Sequence, residues 1–170
     1  MYVDLARAVL LGPDQERLDA DIRRIVERHP DADPEEVSQR LVTGAALRCA
    51  AVGSVASVPA GFLAAIPLAA DLSFQVVTLN RLALAIARAH KRETTAVERA
   101  AAAVGALALG SAALVFRSGF LKGARASFRR RAPGLLPYAG AIAGAASGAL
   151  AAWAAGRIAG DAFGRRRRRR

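Results

Sequence analysis

A ladder of small residues near the C-terminus constrains the fold of this chain most strongly. Small residues recur at every fourth position over the last long apolar stretch: Gly140, Gly144, Gly148, Ala152, Gly156, Gly160 and Gly164. On a helix this spacing lets another backbone approach closely, as in the small-xxx-small contacts of helices packed in or against membranes. We expect the six glycines to make helix-packing contacts.

The ladder also has a geometric limit. Four residues turn a helix by about 400°, so each successive small residue is rotated by roughly 40° around the helix axis. Only about three of them can therefore contact one straight partner helix. The ladder therefore needs one of two arrangements. Either residues 140–148 and 156–164 face two different partner helices, or one partner crosses the ladder at a right-handed angle.

The rest of the chain predicts helices and no sheet. Apolar residues recur with helical periodicity and predict helices over residues 2–11, 14–28, 34–58, 68–90, 95–116 and 138–163, while no stretch alternates as a strand does. The apolar stripe of the third helix is Val37, Leu41, Ala45, Cys49 and Val52, and that of the fourth is Leu68, Leu72, Val76, Leu79, Leu82 and Ile86. Asp33 with Glu36, and Thr95 with Glu98, are typical of capping boxes at helix starts. We expect an all-α, Ala/Gly-rich helical bundle with long apolar helices over residues 34–164. Acidic amphipathic helices precede it over residues 1–33, and a disordered arginine tail follows over residues 165–170.

Charge is distributed unevenly along the chain. The formal net charge is +11, yet the first 40 residues hold ten acidic residues against six arginines. A basic second half suits phosphate, on lipid headgroups or on nucleic acid. The residues expected to contact anionic lipid or phosphate are Arg117, Lys122, Arg125, Arg129, Arg130, Arg131, Arg165, Arg166, Arg167, Arg168, Arg169 and Arg170. Phenylalanines at 116, 120 and 128 are interleaved with the first six, a pattern typical of a helix lying in a membrane interface.

Three uncharged runs raise the question of membrane spanning. They cover residues 49–70, 100–116 and 132–156, whereas a span needs roughly 20 predominantly apolar residues. The runs consist mainly of alanine and glycine, and Pro59 and Pro67 interrupt the first. Basic segments flank the third run on both sides, so a single crossing would put them on opposite faces of the membrane. The sequence favours an amphitropic protein, with an integral hairpin of the first two runs as the alternative.

Few residues suggest a catalytic or metal-binding site. Cys49 is the only cysteine, so it has no disulfide partner within the chain. His29 and His90 are expected at helix ends, and no phosphate loop, nucleophile elbow or zinc spacing occurs. Asp71 and Gln75 lie one turn apart on one face, are expected as buried polar residues and could hydrogen-bond across helices. For Asp71 a helix cap after Pro67 is favoured over an ion or ligand contact. In an apolar environment Asp71 needs a polar partner, and Gln75 and Arg81 are the candidates. We expect no enzyme activity, no metal and no cofactor.

Several short motifs together resemble the EcsC family. They are the small residues over 53–59, the segment Ile-Pro-Leu-Ala-Ala-Asp over 66–71, Gln75, the pair Ile86 and Ala87, and Leu-Pro-Tyr-Ala-Gly over 136–140. A similar plan occurs in a helical domain attached to some bacterial GTPases. The resemblance covers residues 37–163, and His90 and Lys91 stand where the family often has an aromatic residue and a glycine. It implies a bacterial, helical, membrane-associated accessory protein, linked to transporter and secretion functions.

These observations predict a non-enzymatic, membrane-associated adaptor of EcsC type. The N-terminus lacks the basic start of a secretory signal, so we expect the cytoplasmic side of the membrane, as a peripheral protein or an integral hairpin. The expected partners are an anionic membrane surface, a transporter or GTPase component contacted by the acidic helices, and a second copy of the chain. Two alternatives stay open: a nucleic-acid-binding protein that uses the arginine tail, with salt-dependent and lipid-independent binding, and a glycine-zipper protein that permeabilises membranes.

Overall fold

The computed structural model describes residues 15–56, 65–91, 93–128 and 136–164. Within these ranges lie five helices: α1 Gln15–Arg28, α2 Pro34–Ala56, α3 Ala65–Ala89, α4 Ala96–Phe128 and α5 Leu136–Gly164. No strand occurs in the described ranges, so the predicted all-α class is confirmed. The helix predicted over residues 2–11, the break at Pro59 and the arginine tail lie outside the described residues.

Helices α2 to α5 form a four-helix bundle of antiparallel neighbours. α2 packs most extensively on α5 and also on α3, while α4 packs on both α3 and α5. Contact between α2 and α4 is slight at most. These two helices therefore occupy opposite corners of the bundle, and the outer side of α4 points away from α2.

The apolar stripes predicted for α2 and α3 form the core. On α2, Val37, Leu41, Ala45 and Cys49 are all buried, and on α3 the buried stripe contains Val76, Leu79, Leu82 and Ile86. Full burial of one large aliphatic side chain contributes about 1.5–3 kcal/mol. Most of the large core residues belong to α3, whereas α5 contributes mainly alanines to the core cluster.

The predicted capping box of α4 is confirmed, and at α2 the predicted Asp33 N-cap is confirmed. The Glu36 amide donates to Asp33 Oδ1 at 2.8 Å and opens α2. At the start of α4, the Glu98 amide donates to Thr95 Oγ1 at 3.2 Å, and the Thr95 amide donates to Glu98 Oε2 at 2.9 Å. These contacts satisfy amides that have no partner inside the helix.

Two helix boundaries differ from the sequence prediction. α3 begins at Ala65 and not at residue 68, with Pro67 inside its first turn, where proline costs no hydrogen bond because that amide would have no acceptor. α4 continues to Phe128, well beyond the predicted end at residue 116. Its basic half is rich in good helix formers and meets no proline before Pro133. The described part of the predicted interfacial segment, residues 117–128, is therefore the C-terminal third of a longer helix.

α1 is attached to the bundle by ion pairs with α3. Arg88 Nε lies 2.7 Å from Asp19 Oδ1, and Arg81 Nη2 lies 2.8 Å from Asp21 Oδ2. Arg81 also donates to the Arg17 carbonyl oxygen at 3.2 Å. Two of the N-terminal acidic residues are thus engaged within the chain.

Three glycines of the ladder, Gly144, Gly148 and Gly156, pack closely against α2. A Cβ atom on Gly148 would lie 2.5 Å from the Cys49 carbonyl oxygen, and one on Gly53 would lie 2.8 Å from the Gly144 carbonyl carbon. A Cβ on Gly156 would overlap the Val42 side chain. The two helices approach so closely here that neither backbone leaves room for a methyl group.

The order of these contacts distinguishes the two arrangements that the sequence left open. Moving along α5 from Gly144 to Gly148 to Gly156, the contacts on α2 move back from Gly53 to Cys49 to Val42. One antiparallel helix therefore follows the ladder from Gly144 to Gly156, over about three turns. At Gly160 an added Cβ would meet no described atom within 4 Å, so the close contact ends between Gly156 and Gly160.

Candidate membrane interface

α4 directs most of its large apolar side chains away from the bundle, although Leu109 packs against the core. The residues that it buries are small: Ala103, Ala106, Gly110 and Ala113. We define the α4 outer face as the large apolar residues exposed on the side away from these small ones: Val97, Val104, Leu107, Val115 and Phe116. Phe120 is also exposed, but it follows Ala113 by seven residues and therefore lies near the line of the buried small residues. A helix in a water-soluble bundle normally has the opposite arrangement, with large apolar residues inside.

The small inner residues explain why the large ones face outward. A Cβ on Gly110 would lie 3.2 Å from Leu72 Cδ1 and 3.4 Å from Val76 Cγ2, so α4 sits close to α3 and leaves little space for a larger side chain. The exposed fractions are 71% at Val115 and 53% at Phe116. Monomeric soluble proteins rarely expose contiguous apolar patches larger than a few hundred Å². The α4 outer face thus has the character of a surface that another apolar phase covers.

A row of residues along α4 links this apolar surface to the basic segment. Val97, Val104, Val115 and Lys122 are separated by seven or eleven residues, close to whole numbers of turns, so they lie within about 20° of one line. All four are exposed. No charged residue lies between Arg99 and Arg117. An uncharged surface of 17 residues therefore leads along one line to an exposed ammonium group.

The other predicted phosphate-contact residues are only partly described. The backbone of Arg117 and Arg125 belongs to α4, but their side chains lie outside the described part of the structure. Arg129, Arg130 and Arg131, and the six arginines from Arg165 to Arg170, lie outside the described residues. The predicted contacts of these residues with lipid remain predictions.

α5 separates the two basic segments along the chain. It is continuous over 29 residues, or about 43 Å at 1.5 Å per residue. The basic segment of α4 precedes the start of α5, and the arginine tail follows its end.

α5 carries a second set of exposed apolar side chains. Tyr138, Ile142, Leu150, Trp153 and Ile158 are exposed. The guanidinium carbon of Arg157 lies 5.0 Å from the centre of the Trp153 ring, within cation–π range. Asp161 follows one turn later and is also exposed. Unlike the α4 outer face, the last turns of α5 mix apolar and charged groups.

Three helices are long and apolar enough to cross a membrane. The segments are Ala70–Ala89, Val97–Phe120 and Tyr138–Phe163. About 61% of the first is buried inside the bundle, against 22% of the second. The all-α fold and these segments fit a membrane-associated protein. Of the three, the α4 segment has the largest surface left for lipid.

Asp71 and Gln75 form a buried hydrogen-bonded pair in α3. The Gln75 amide nitrogen donates to Asp71 Oδ1 at 2.9 Å, and both residues are almost inaccessible to solvent. Asp71 lies six residues after the start of α3, too far into the helix to accept from its first free amides. The interpretation of Asp71 as a helix cap is therefore wrong.

The surroundings of this pair are apolar and tightly packed. Burial, reinforced by the negative charge of Asp71, raises the pKa of the Cys49 thiol to about 11, so this thiol stays protonated and poorly reactive at neutral pH. Gln75 Oε1 is buried without a hydrogen-bond partner among the described residues. No group of three His, Cys, Asp or Glu residues that could hold a metal ion occurs in the described part of the chain. The hydrogen bond of the pair lies within α3, and the neighbouring Cys49 thiol is protonated at neutral pH.

Sequence reasoning did not identify one surface, a groove beside the last turns of α5. The N-terminal half of α2 forms one wall, and His90, just after α3, closes one side. His90 Nε2 lies 3.3 Å from Ser38 Oγ. Three segments that are distant in sequence contribute to this groove, so no local pattern could have indicated it.

Comparison of the chain with protein-family models, with curated proteins and with solved structures finds no match.

Proposed function

We propose that this chain is a non-enzymatic helical adaptor that binds an anionic membrane surface through the α4 outer face and the basic residues that follow it. One observation carries the proposal: α4 exposes large apolar side chains along an uncharged stretch that leads directly to Lys122. Valine and phenylalanine side chains enter the acyl boundary of a bilayer, and cations meet anionic headgroups. The rest of the bundle holds α4 in a fixed orientation.

A spanning orientation is disfavoured by the length of the uncharged stretch of α4. This stretch has 17 residues, from 100 to 116, and is about 26 Å long at 1.5 Å per residue. The hydrocarbon core of a bilayer is roughly 30 Å thick. A crossing by α4 would therefore draw Arg99 or Arg117 into the core. Each charge at the bilayer centre costs about 2.5–3.5 kcal/mol on insertion scales.

A peripheral orientation avoids this cost. With α4 lying along the membrane surface, its outer face enters the lipid while α2, at the opposite corner, stays in water. α1 packs on α2 and α3, so it also remains on the water side and is available to a protein partner. The EcsC resemblance adds the expectation of a cytoplasmic location and of a transporter or GTPase component as that partner.

The packing of the ladder argues against a pore-forming function. Gly144, Gly148 and Gly156 contact α2 of the same chain. A glycine zipper that assembles several chains would need this surface to be free. No comparable observation favours nucleic acid, which would leave the α4 outer face without a role.

Vesicle flotation tests the proposal. We expect the purified full chain to float with vesicles that contain phosphatidylglycerol and to stay unbound with phosphatidylcholine alone. Salt should weaken binding because it screens the attraction between the basic residues and the headgroups, and alkaline carbonate should release the protein because it does not span the bilayer.

The alternatives predict different results in the same assay. Retention in carbonate would indicate an integral hairpin. Salt-sensitive binding to duplex DNA, without binding to anionic vesicles, would favour nucleic acid and contradict the proposal. Equal binding to vesicles with and without phosphatidylglycerol would show that the basic residues do not contribute to membrane binding.

A further inference from the structure

The groove beside the last turns of α5 is large enough for a peptide segment. Its cavity has a volume of about 1120 Å³, above the roughly 300–1,000 Å³ of most small-molecule sites. It lies at the end of the bundle where α2 begins and α5 ends. The residues that line it are Asp33, Pro34, Glu35, Ser38, Gln39, Val42, Thr43, His90, Trp153, Gly156, Arg157, Gly160 and Asp161.

The lining is acidic. Among the described lining residues, Asp33, Glu35 and Asp161 contribute three exposed carboxylates and Arg157 contributes one guanidinium group. Arg157 also stacks on Trp153. A positively charged ligand is therefore favoured electrostatically, and guanidinium groups match carboxylates in a planar, two-bond geometry.

The wall formed by α5 adds an aromatic surface and free space. Trp153 is 53% exposed and can stack a guanidinium group on its ring. Beside Gly160, an added Cβ would meet no described atom within 4 Å. The groove thus offers carboxylates, an aromatic ring and an open wall, which is what an arginine side chain requires.

We propose that the C-terminal arginine tail of the same chain, residues 165–170, folds back and occupies this groove. The tail begins directly after Gly164, where α5 ends, and Asp161 lies only four residues before Arg165. The wall from Trp153 to Asp161 is about 12 Å long at 1.5 Å per residue. Six extended residues reach about 20 Å, so the tail can cover that wall.

This docking reaches beyond the proposed membrane function. The tail leaves α5 at the end of the bundle opposite the basic half of α4, so lipid bound there does not require it. While docked, its guanidinium groups are engaged by carboxylates and are not available to headgroups. Lipid contact then depends on the α4 segment until the tail is displaced.

Trp153 provides the readout, since it is the only tryptophan of the chain. The experiment compares the full chain with a full-length variant in which all six tail arginines are replaced by serine, without lipid. Because the groove of the native chain is occupied, we expect added hexa-arginine peptide to leave its Trp153 fluorescence unchanged. In the serine variant the groove is empty, and the same peptide should change the fluorescence with one-site saturation.

Matched charge variants distinguish binding of the peptide in the groove from nonspecific electrostatic attraction to the protein surface. Glu35→Gln with Asp161→Asn, introduced into the serine variant, should weaken peptide binding by roughly 5- to 10-fold through the loss of two charge contacts. Asp31→Asn with Glu93→Gln removes the same charge from exposed carboxylates that do not line the groove and should leave affinity within about twofold.

Three outcomes would overturn the proposal. The first is no fluorescence response of the serine variant to the peptide. The second is equal weakening by the two pairs of substitutions. The third is a difference in Trp153 fluorescence response between the native and serine chains that depends on protein concentration. This result would mean that the tail binds in the groove of a second copy. None of these results bears on vesicle binding.

Discussion

Gly148→Ala is expected to destabilise the bundle strongly. The new methyl group would lie 2.5 Å from the Cys49 carbonyl oxygen and 2.8 Å from its carbonyl carbon. These are backbone atoms, so relief requires α2 and α5 to move apart and lose contact along the ladder. Overpacking of this kind costs about 3 kcal/mol, and the midpoint of thermal unfolding should fall by roughly 10 °C. Urea unfolding followed by helical circular dichroism measures the change.

Gly160→Ala is the matched control on the same helix. Its Cβ would meet no described atom within 4 Å, so only the difference in helix propensity acts. We expect it to stabilise the fold by about 0.8–1 kcal/mol. The two alanines thus have opposite expected signs, and a similar stabilisation by both would contradict the close contact between α2 and α5.

Val115→Asp combined with Phe116→Asp is expected to abolish most vesicle binding. Both side chains are exposed on the α4 outer face, so the folded bundle should tolerate the change. In the bound state, the double substitution loses apolar contact with the acyl region and adds repulsion from anionic headgroups. A loss of about 3 kcal/mol corresponds to roughly 100-fold weaker partitioning. Binding isotherms with anionic vesicles provide the measurement, and circular dichroism verifies the fold.

Leu47→Asp combined with Val55→Asp makes the same chemical change on α2. These residues are also exposed, but α2 lies at the corner of the bundle opposite α4. We expect vesicle affinity within about threefold of the native value, because charges that remain in water are screened. If the α2 pair weakens binding as much as the α4 pair, the orientation proposed here is wrong.

Features set by local contacts were predictable from the sequence. The N-cap at Asp33 and the capping box at Thr95 depend on residues three positions apart, and both formed as expected. The buried stripes of α2 and α3 followed from helical periodicity alone. A repeated spacing or a capping pair determines such features without knowledge of the neighbouring helices.

Features set by neighbouring helices were not predictable in the same way. The ladder was compatible with one partner or two, and the choice depends on how α2 crosses α5. The capping interpretation of Asp71 failed because α3 extends back past Pro67. Phe116 and Phe120 were expected at a membrane interface, but Val97, Val104, Leu107 and Val115 were not singled out. The signal was present in the small residues at 103, 106, 110 and 113, whose spacing marks the inner side of α4.

An environment-sensitive fluorophore at residue 115 tests the membrane orientation most directly. Val115→Cys and Leu47→Cys are each labelled with nitrobenzoxadiazole, and native Cys49 stays unlabelled because it is buried with a raised thiol pKa. On addition of anionic vesicles, the account predicts a blue-shifted, several-fold brighter emission at residue 115 and little change at residue 47. A stronger response at residue 47 than at residue 115, or no response at either while the protein floats with the vesicles, would contradict membrane binding through the α4 outer face.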